Sequence, residues 1–350
     1  MASKSRISSA DIARMTGVSR ATVSYIINNR VDQTISDETR KRVLDAIEES
    51  GYRPNSVARA LVSGRTMTVA LWVPIVNRSV SGHFINHIGR LAKADGYHVI
   101  VVEIAGETPD SLSSTGLLDA GQVDGIIAVD ATALIEGLLD RFQNLPPIVS
   151  MGPAYSTHTD YAGVDLAGGS RLVMQHLIER GCTKIALISD QISSSPGDPR
   201  YDAYMEGVRM LGTKPDVLPV ESVRMADSYW AVRERFERSN PPDGLMCFND
   251  ECAIGANKAL SDMGIDVPGE VIIIGSDGIA ETQYSVPEIS TVAQPFEATC
   301  SRAWHFFLRR LEQPGAPICG EVLQMNLIVR RSTTPSTLPQ SSAESVTHLT

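Results

Sequence analysis

The run Ser19-Arg20-Ala21-Thr22-Val23-Ser24-Tyr25-Ile26-Ile27-Asn28 gathers hydroxyl, guanidinium, phenol and amide groups without one carboxylate. An arginine such as Arg20 can bond guanine through two parallel hydrogen bonds, and Ala21 can meet a thymine methyl group. Ser19, Thr22 and Asn28 can bond phosphate oxygens, aided by the amides at a helix start. With helical periodicity, Arg20, Ala21, Ser24, Tyr25 and Asn28 share the face opposite Val23 and Ile27. One such helix alone fits an ordinary solvated face as well.

The surrounding elements favour the nucleic-acid chemistry. Ser8-Ser9-Ala10-Asp11 has the form of a capping box opening a helix with the stripe Ile12, Met15 and Val18. Gly17 suits the left-handed position of a tight turn, and Ser19 caps a second helix with Val23, Ile26 and Ile27 inside. A third helix begins at Ser36, buries Val43, Leu44 and Ile47, and stops near Gly51. This is helix, glycine turn, helix, with a supporting third helix. Pro54 disfavours helical geometry at Arg53, so Asn55 can cap a further short helix over residues 56–62. Seven residues do not hold a helix in water, so this one is expected to order on a partner. Its small side chains fit a narrow groove, with Leu61 as an apolar wedge between base steps. A plain interdomain linker is the alternative.

Charge agrees with that division. The 350 residues carry a net charge of −10, yet residues 1–65 hold eleven Lys/Arg against seven Asp/Glu. A basic head on an acidic body is the asymmetry of a polyanion-binding head. The apolar fraction of 43% is ordinary for globular cores and excludes wholesale disorder. No apolar run is long enough to span a bilayer or serve as a secretory signal. Five scattered cysteines without a CxxC read as reduced thiols of a cytosolic protein, and no metal or cofactor is expected.

The head resembles that of the LacI/GalR family of bacterial transcription regulators. The likeness rests on Asp11-Ile12-Ala13, Gly17-Val18-Ser19, Thr22-Val23-Ser24, Asn28, Ser36, Thr39-Arg40, Val43, Gly51-Tyr52-Arg53-Pro54-Asn55, Ala58-Arg59 and Leu61, in order and spacing. The resemblance implies a homodimer on double-stranded, pseudo-palindromic operator DNA, with paired hinge helices opening the central minor groove. By position Arg20, Ala21 and Tyr25 match base-reading residues, Ser19, Thr22 and Asn28 match phosphate contacts, and Leu61 matches the intercalating leucine. Ser24, Asn55, Ala58 and Arg59 complete the expected DNA surface.

Beyond residue 65, short apolar runs alternate with helical segments: 68–73, 98–103, 125–129, 147–151, 184–189, 244–248 and 271–275, with helices such as 83–95 and 168–180. Such runs suit parallel strands covered on both faces, and the alternation implies doubly wound sheets in two lobes with a cleft at their carboxyl ends. The resemblance continues through Val123-Asp124-Gly125, Val164-Asp165, Phe248-Asn249-Asp250, Gly275-Ser276-Asp277, Gln294-Pro295-Phe296 and Val329-Arg330-Arg331. It implies the periplasmic-binding-protein fold. The whole fold class is then α plus α/β: a helix-turn-helix head with hinge helix over 1–65, then two parallel α/β lobes over 66–333. The first lobe takes 66–160 and 293–325, the second 161–292. The expected crossings lie near 160, 292 and 325, and residues 334–350, rich in Ser, Thr and Pro, are expected to be a disordered tail.

The same resemblance places a small-molecule effector, a sugar or related polar metabolite, against Phe84, Asn249, Asp277, Gln294 and Phe296. Turn capping also fits Asn249 and Asp277, and helix capping fits Asp165. One position departs: many relatives have an arginine three residues before the glycine matching Gly207, where this chain has Tyr204. A phenol cannot make the arginine's two-pronged bond, so Arg200, four residues earlier, is the expected substitute beside Tyr204. His83 and His87 are spaced to share a metal, but spacing supplies no third ligand. No nucleotide, hydrolase or metalloprotease motif supports an enzyme. A binding protein without a DNA role leaves the first 65 residues unexplained. Trp304, Phe306, Phe307 and Leu308 belong to a core or a dimer interface. The expected whole is a cytoplasmic, effector-controlled repressor.

Overall fold

The computed structural model describes residues 7–27, 35–52, 64–114, 116, 118 and 121–334. Asn28, Asn55, Ala58, Arg59, Leu61 and the 335–350 segment lie outside the described residues. The chain divides into two units, residues 1–68 with 120–124 and the remainder.

The head holds three helices, α1 (Ser9–Thr16), α2 (Arg20–Ile27) and α3 (Asp37–Ser50). Each start is set locally. Ser8 accepts the Asp11 amide while Asp11 accepts the Ser8 amide, the reciprocal capping box. Ser19 Oγ accepts the Thr22 amide at 3.0 Å, and Ser36 accepts that of Thr39. Gly17 and Gly51 end α1 and α3 at φ of 69° and 63°, which a Cβ would strain. Ile12, Ala13, Val23, Ile26 and Val43 form the buried centre. Met15 and Leu44, expected inside, are 58% and 47% exposed. The inward edge of α1 runs through Ile12, Ala13 and Thr16, and that of α3 through Val43 with Ile47 beside it.

The larger unit contains two six-stranded sheets, ordered β11-β5-β4-β3-β1-β2 and β12-β10-β9-β8-β6-β7. The first comprises β1 (Thr68–Val73), β2 (His98–Glu103), β3 (Gly125–Val129), β4 (Ile148–Gly152), β5 (Asp160–Val164) and β11 (Gly320–Leu323). The second comprises β6 (Ile185–Asp190), β7 (Asp216–Val220), β8 (Gly244–Cys247), β9 (Ile272–Asp277), β10 (Ser290–Ala293) and β12 (Asn326–Ile328). Helices between them are α4 (Ser79–Ala94), α5 (Pro109–Ser114), α6 (Thr132–Arg141), α7 (Leu166–Glu179), α8 (Pro199–Leu211), α9 (Met225–Phe236), α10 (Asp250–Asp262) and α11 (Phe296–Glu312). The central strands are fully buried because helices cover both faces. β2 differs: it borders only β1, and four of its six residues are exposed. β12 runs antiparallel to β10, so the second sheet is mixed.

β5 pairs with β4 in the first sheet, so the first passage between sheets falls at Asp165 rather than near 160. The second follows β10 at Gln294-Pro295, and the third is the two-residue link Gln324-Met325 between β11 and β12. The aromatic cluster of α11 is first-lobe core. Trp304 Nε1 donates to Asp95 at 2.6 Å, and Tyr97 meets both Trp304 and Phe307 edge-on with centroids 5.6 Å apart. All five cysteines are free thiols, four of them buried. Among the described residues no helix is long and apolar enough to cross a membrane.

Candidate functional site

On the head, Ser19, Arg20, Ala21 and Ser24 are exposed, Thr22 and Tyr25 half-buried, and Val23 and Ile26 buried. One face of α2 is thereby polar and open while its opposite face is spent on the head core. The first turn of α2 holds no acid. Its free amides and Arg20 make an electropositive end suited to phosphate.

In the larger unit the carboxyl ends of the two sheets meet at a cleft. Asp130 directly follows β3 in the first lobe, and Asp277 ends β9 in the second. Both sit at positive φ, 49° and 126°, costly for a residue with a Cβ. Asp130 Oδ1 accepts the Ala154 amide at 2.8 Å, and Asp277 Oδ1 accepts Gln294 Nε2 at 2.7 Å. The Gln294 amide also donates to the Asp277 carbonyl, so the second crossing is tied to the end of β9. Asp198 caps α8 and holds Arg200 through Nε and Nη2, while the Arg200 guanidinium lies 3.7 Å over the Phe248 ring.

Burial is the main force on the cleft acids. It pushes Asp130 up to about 6, against the Ala154 hydrogen bond and the Arg200 charge. It also lifts Asp277 well above the usual carboxylate range, reinforced by Asp250 and Asp130 and opposed by Gln294 and Arg200. Arg200 thus acts on one carboxylate from each lobe. Asp250 lies behind them, its oxygens filled by Thr291 Oγ1 and the amides of Gly278 and Ile279, which shapes the turn after β9.

The other expected residues divide. Phe84 and Phe296 meet edge-on at 5.2 Å, and His83 stacks on Phe296 at 4.7 Å. Asn249 caps α10 through the Cys252 amide and donates to the Val223 carbonyl, so its side chain serves the turn. Asp165 likewise caps α7 through the Gly168 amide. Tyr204 is not in the cleft. It is 0% exposed, and its hydroxyl donates to the Ile185 carbonyl and accepts the Asp216 amide, at the opposite ends of β6 and β7. Arg200 is therefore the side chain of this helix that acts on the cleft acids, and Tyr204 is not. No cluster of three metal-ligating side chains occurs among the described residues.

Sequence reasoning missed Asp130, Phe248 and a clasp between the lobes. Arg78, after β1, donates to the Val223 carbonyl at 3.1 Å and lies 3.7 Å from Glu251 in the first turn of α10. The Ser79 amide donates to the same Glu251 at 3.3 Å. The signal for Asp130 was present: like Asp277, it is an acid closing a short apolar run.

Residues 10–55 match the description "Bacterial regulatory proteins, lacI family", and residues 174–333 match "Periplasmic binding protein-like domain". An HTH-type transcriptional repressor PurR of Histophilus somni (strain 129Pt) is 25% identical over 328 residues, covering 92% of this chain and 97% of that one. The fold is similar to that of the lac repressor dimer bound to operator and the anti-inducer ONPF, with a TM-score of 0.79 at 22% identity over 94% of this chain and 99% of that one. A LacI family transcriptional regulator from Enterococcus faecium with bound ribose gives a TM-score of 0.66 at 21% identity, covering 77% of this chain and 99% of that one. With a head and a two-lobed body of these kinds on one chain, the protein belongs to the LacI family of bacterial regulatory proteins and is a DNA-binding transcriptional regulator.

Proposed function

We propose that this regulator is a cytoplasmic, homodimeric repressor that holds a pseudo-palindromic operator until a sugar or related polar metabolite enters the cleft. The observation that carries the reading is the group Asp130, Asp277 and Arg200, in which one acid from each lobe feels the same guanidinium and Asp277 also feels Asp130. A ligand that prefers one lobe angle shifts the lobe equilibrium by its differential affinity and so changes DNA affinity. The lac repressor bound to operator and the ribose-bound regulator support the class of partner on each side.

Asp277→Ala should abolish the change in operator affinity on adding effector, measured by fluorescence anisotropy of labelled operator DNA after a thermal-shift panel has found the effector. A normal response in that variant would place the effector elsewhere. On the head, Arg20→Ala should relax preference at one base pair of each half-site by about 1–3 kcal/mol. Comparing affinities across operators substituted at each position checks this, and an unchanged profile would remove Arg20 from base reading.

A further inference from the structure

The second crossing between the lobes carries an unbalanced pair. Gln294 is 9% exposed, and its Nε2 donates to Asp277 Oδ1 at 2.7 Å. Its Oε1 is buried without a hydrogen-bond partner among the described residues. A buried acceptor left in that state is costly. The Gln294 backbone amide donates to the Asp277 carbonyl at 2.9 Å, so the two residues already meet through main chain and side chain. A donor on the Asp277 carboxyl would complete the pair. A protonated carboxyl has one: it offers an acceptor and an O–H, the complement of a primary amide.

The neighbouring charges say where a proton belongs. Asp250, at the start of α10, takes Thr291 Oγ1 at 2.6 Å and the amides of Gly278 and Ile279 at 2.7 and 2.8 Å. Three donors suit a carboxylate and keep the negative charge on Asp250. Among the described residues the Asp277 side chain takes one hydrogen bond, from Gln294. The other charges acting on it are Asp130, after β3, and Arg200, from α8. Two of the three Arg200 nitrogens are held by Asp198, and Arg330 acts on Asp250 instead. Asp130, Asp198, Asp250 and Asp277 thus share the two guanidinium groups of Arg200 and Arg330. A buried set with that imbalance retains protons.

We propose that Asp277 keeps a proton at neutral pH and donates it to Gln294 Oε1, so that the second crossing is locked by an acid–amide pair that opens when the proton leaves. The lock belongs to the joint itself and holds whichever molecule enters the cleft. Burial first and Asp250 next hold the Asp277 carboxyl well above the usual carboxylate range. The stability that the protonated form contributes is therefore whole below the ordinary value of 3.8, and is lost as pH rises from there through the folded value. Freed of the proton, Gln294 Oε1 and the Asp277 carboxylate face each other as bare acceptors, and the joint loosens.

Carbon-13 NMR of the full-length protein, labelled at its aspartate carboxyls, tests the proton. At about pH 7 a carboxyl signal should still sit at the protonated position, and Asp277→Asn should remove it. Asp130 and Asp250 are told apart by titrating at about 6. If no signal is protonated there, or the protonated one survives in Asp277→Asn, the proposal falls. Hydrogen exchange over the crossing, corrected for the intrinsic rate, tests the lock. Protection of the Gln294 amide in the parent should fall about tenfold or more between about pH 6 and 9. In Asp277→Asn an amide N–H replaces the acid's O–H, so protection should stay level. Asp277→Ala should show low protection throughout. A flat profile in the parent, or an equal fall in Asp277→Asn, would make the pair a static turn contact and defeat the lock. The parent alone decides if a variant folds poorly, since a missing protonated signal and a flat profile each count against the lock.

Discussion

Glu251→Ala should lower effector affinity by roughly 5–150-fold, the range of a typical coupling free energy of about 1–3 kcal/mol. Glu251 receives Arg78 at 3.7 Å and the Ser79 amide at 3.3 Å, both from the opposite lobe. The two charged side chains are only 18% and 15% exposed, so solvent screens them less than a surface pair. Removing the acid leaves Arg78 one carbonyl, that of Val223, and releases the start of α4 from the start of α10. The lobes then remain joined by three covalent crossings and the cleft contacts, and open forms gain population. A binding-competent state that is less populated weakens apparent affinity in the same proportion. Small-angle scattering of the ligand-free variant should show a larger radius of gyration. Unchanged dimensions with unchanged affinity would show that the clasp does not hold the lobes. Arg78→Ala should act in the same direction, and a double-mutant cycle should find the two effects far from additive.

Asp160→Ala is expected to cost about 3–5 kcal/mol of stability, because it strands buried positive charge. The Asp160 side chain is 0% exposed and takes Arg310 Nε and Nη2 at 2.8 Å each and the Cys319 amide at 2.7 Å. Arg309 stands 3.7 Å away. One carboxylate thus fastens the start of β5 to the end of α11 and the approach to β11. Urea titration of the parent and variant measures the effect through the midpoint and slope. A loss below about 1 kcal/mol would mean that water reaches the arginines and the pair counts as a surface one.

What could be read from the sequence follows how local each cause is. The head's starts and stops were legible because Ser8 with Asp11, Gly17, Ser36 and Gly51 act within three or four residues of themselves. Met15 and Leu44 were misplaced because a stripe read from spacing does not say how far each helix is rotated toward its neighbours. The runs that became β1, β3, β4, β6, β8 and β9 announced themselves by continuous apolar residues. β5 and β7 did not, since Asp160 opens the one and Pro219 interrupts the other. In the cleft, Asp277 and Gln294 came from the family likeness and are joined by a hydrogen bond. Tyr204 was misjudged because counting back from Gly207 gives a position in the family pattern and not the direction in which the side chain packs. Packing sends the phenol to the Asp216 backbone and the guanidinium to Phe248.

The route of the chain through the two sheets has a consequence for biogenesis. The described helices of the head are all made by residue 50, whereas the first sheet awaits β11 at 320–323 and the second awaits β12 at 326–328. During synthesis the head can therefore fold while both lobes still lack an edge strand, and β5 and β10 stand open on the ribosome. The last two strands, separated by two residues, close both lobes at nearly the same moment. A nascent regulator would then have a finished head before it has an effector site, and its unsealed lobes, rather than its head, would be the surface that chaperones meet.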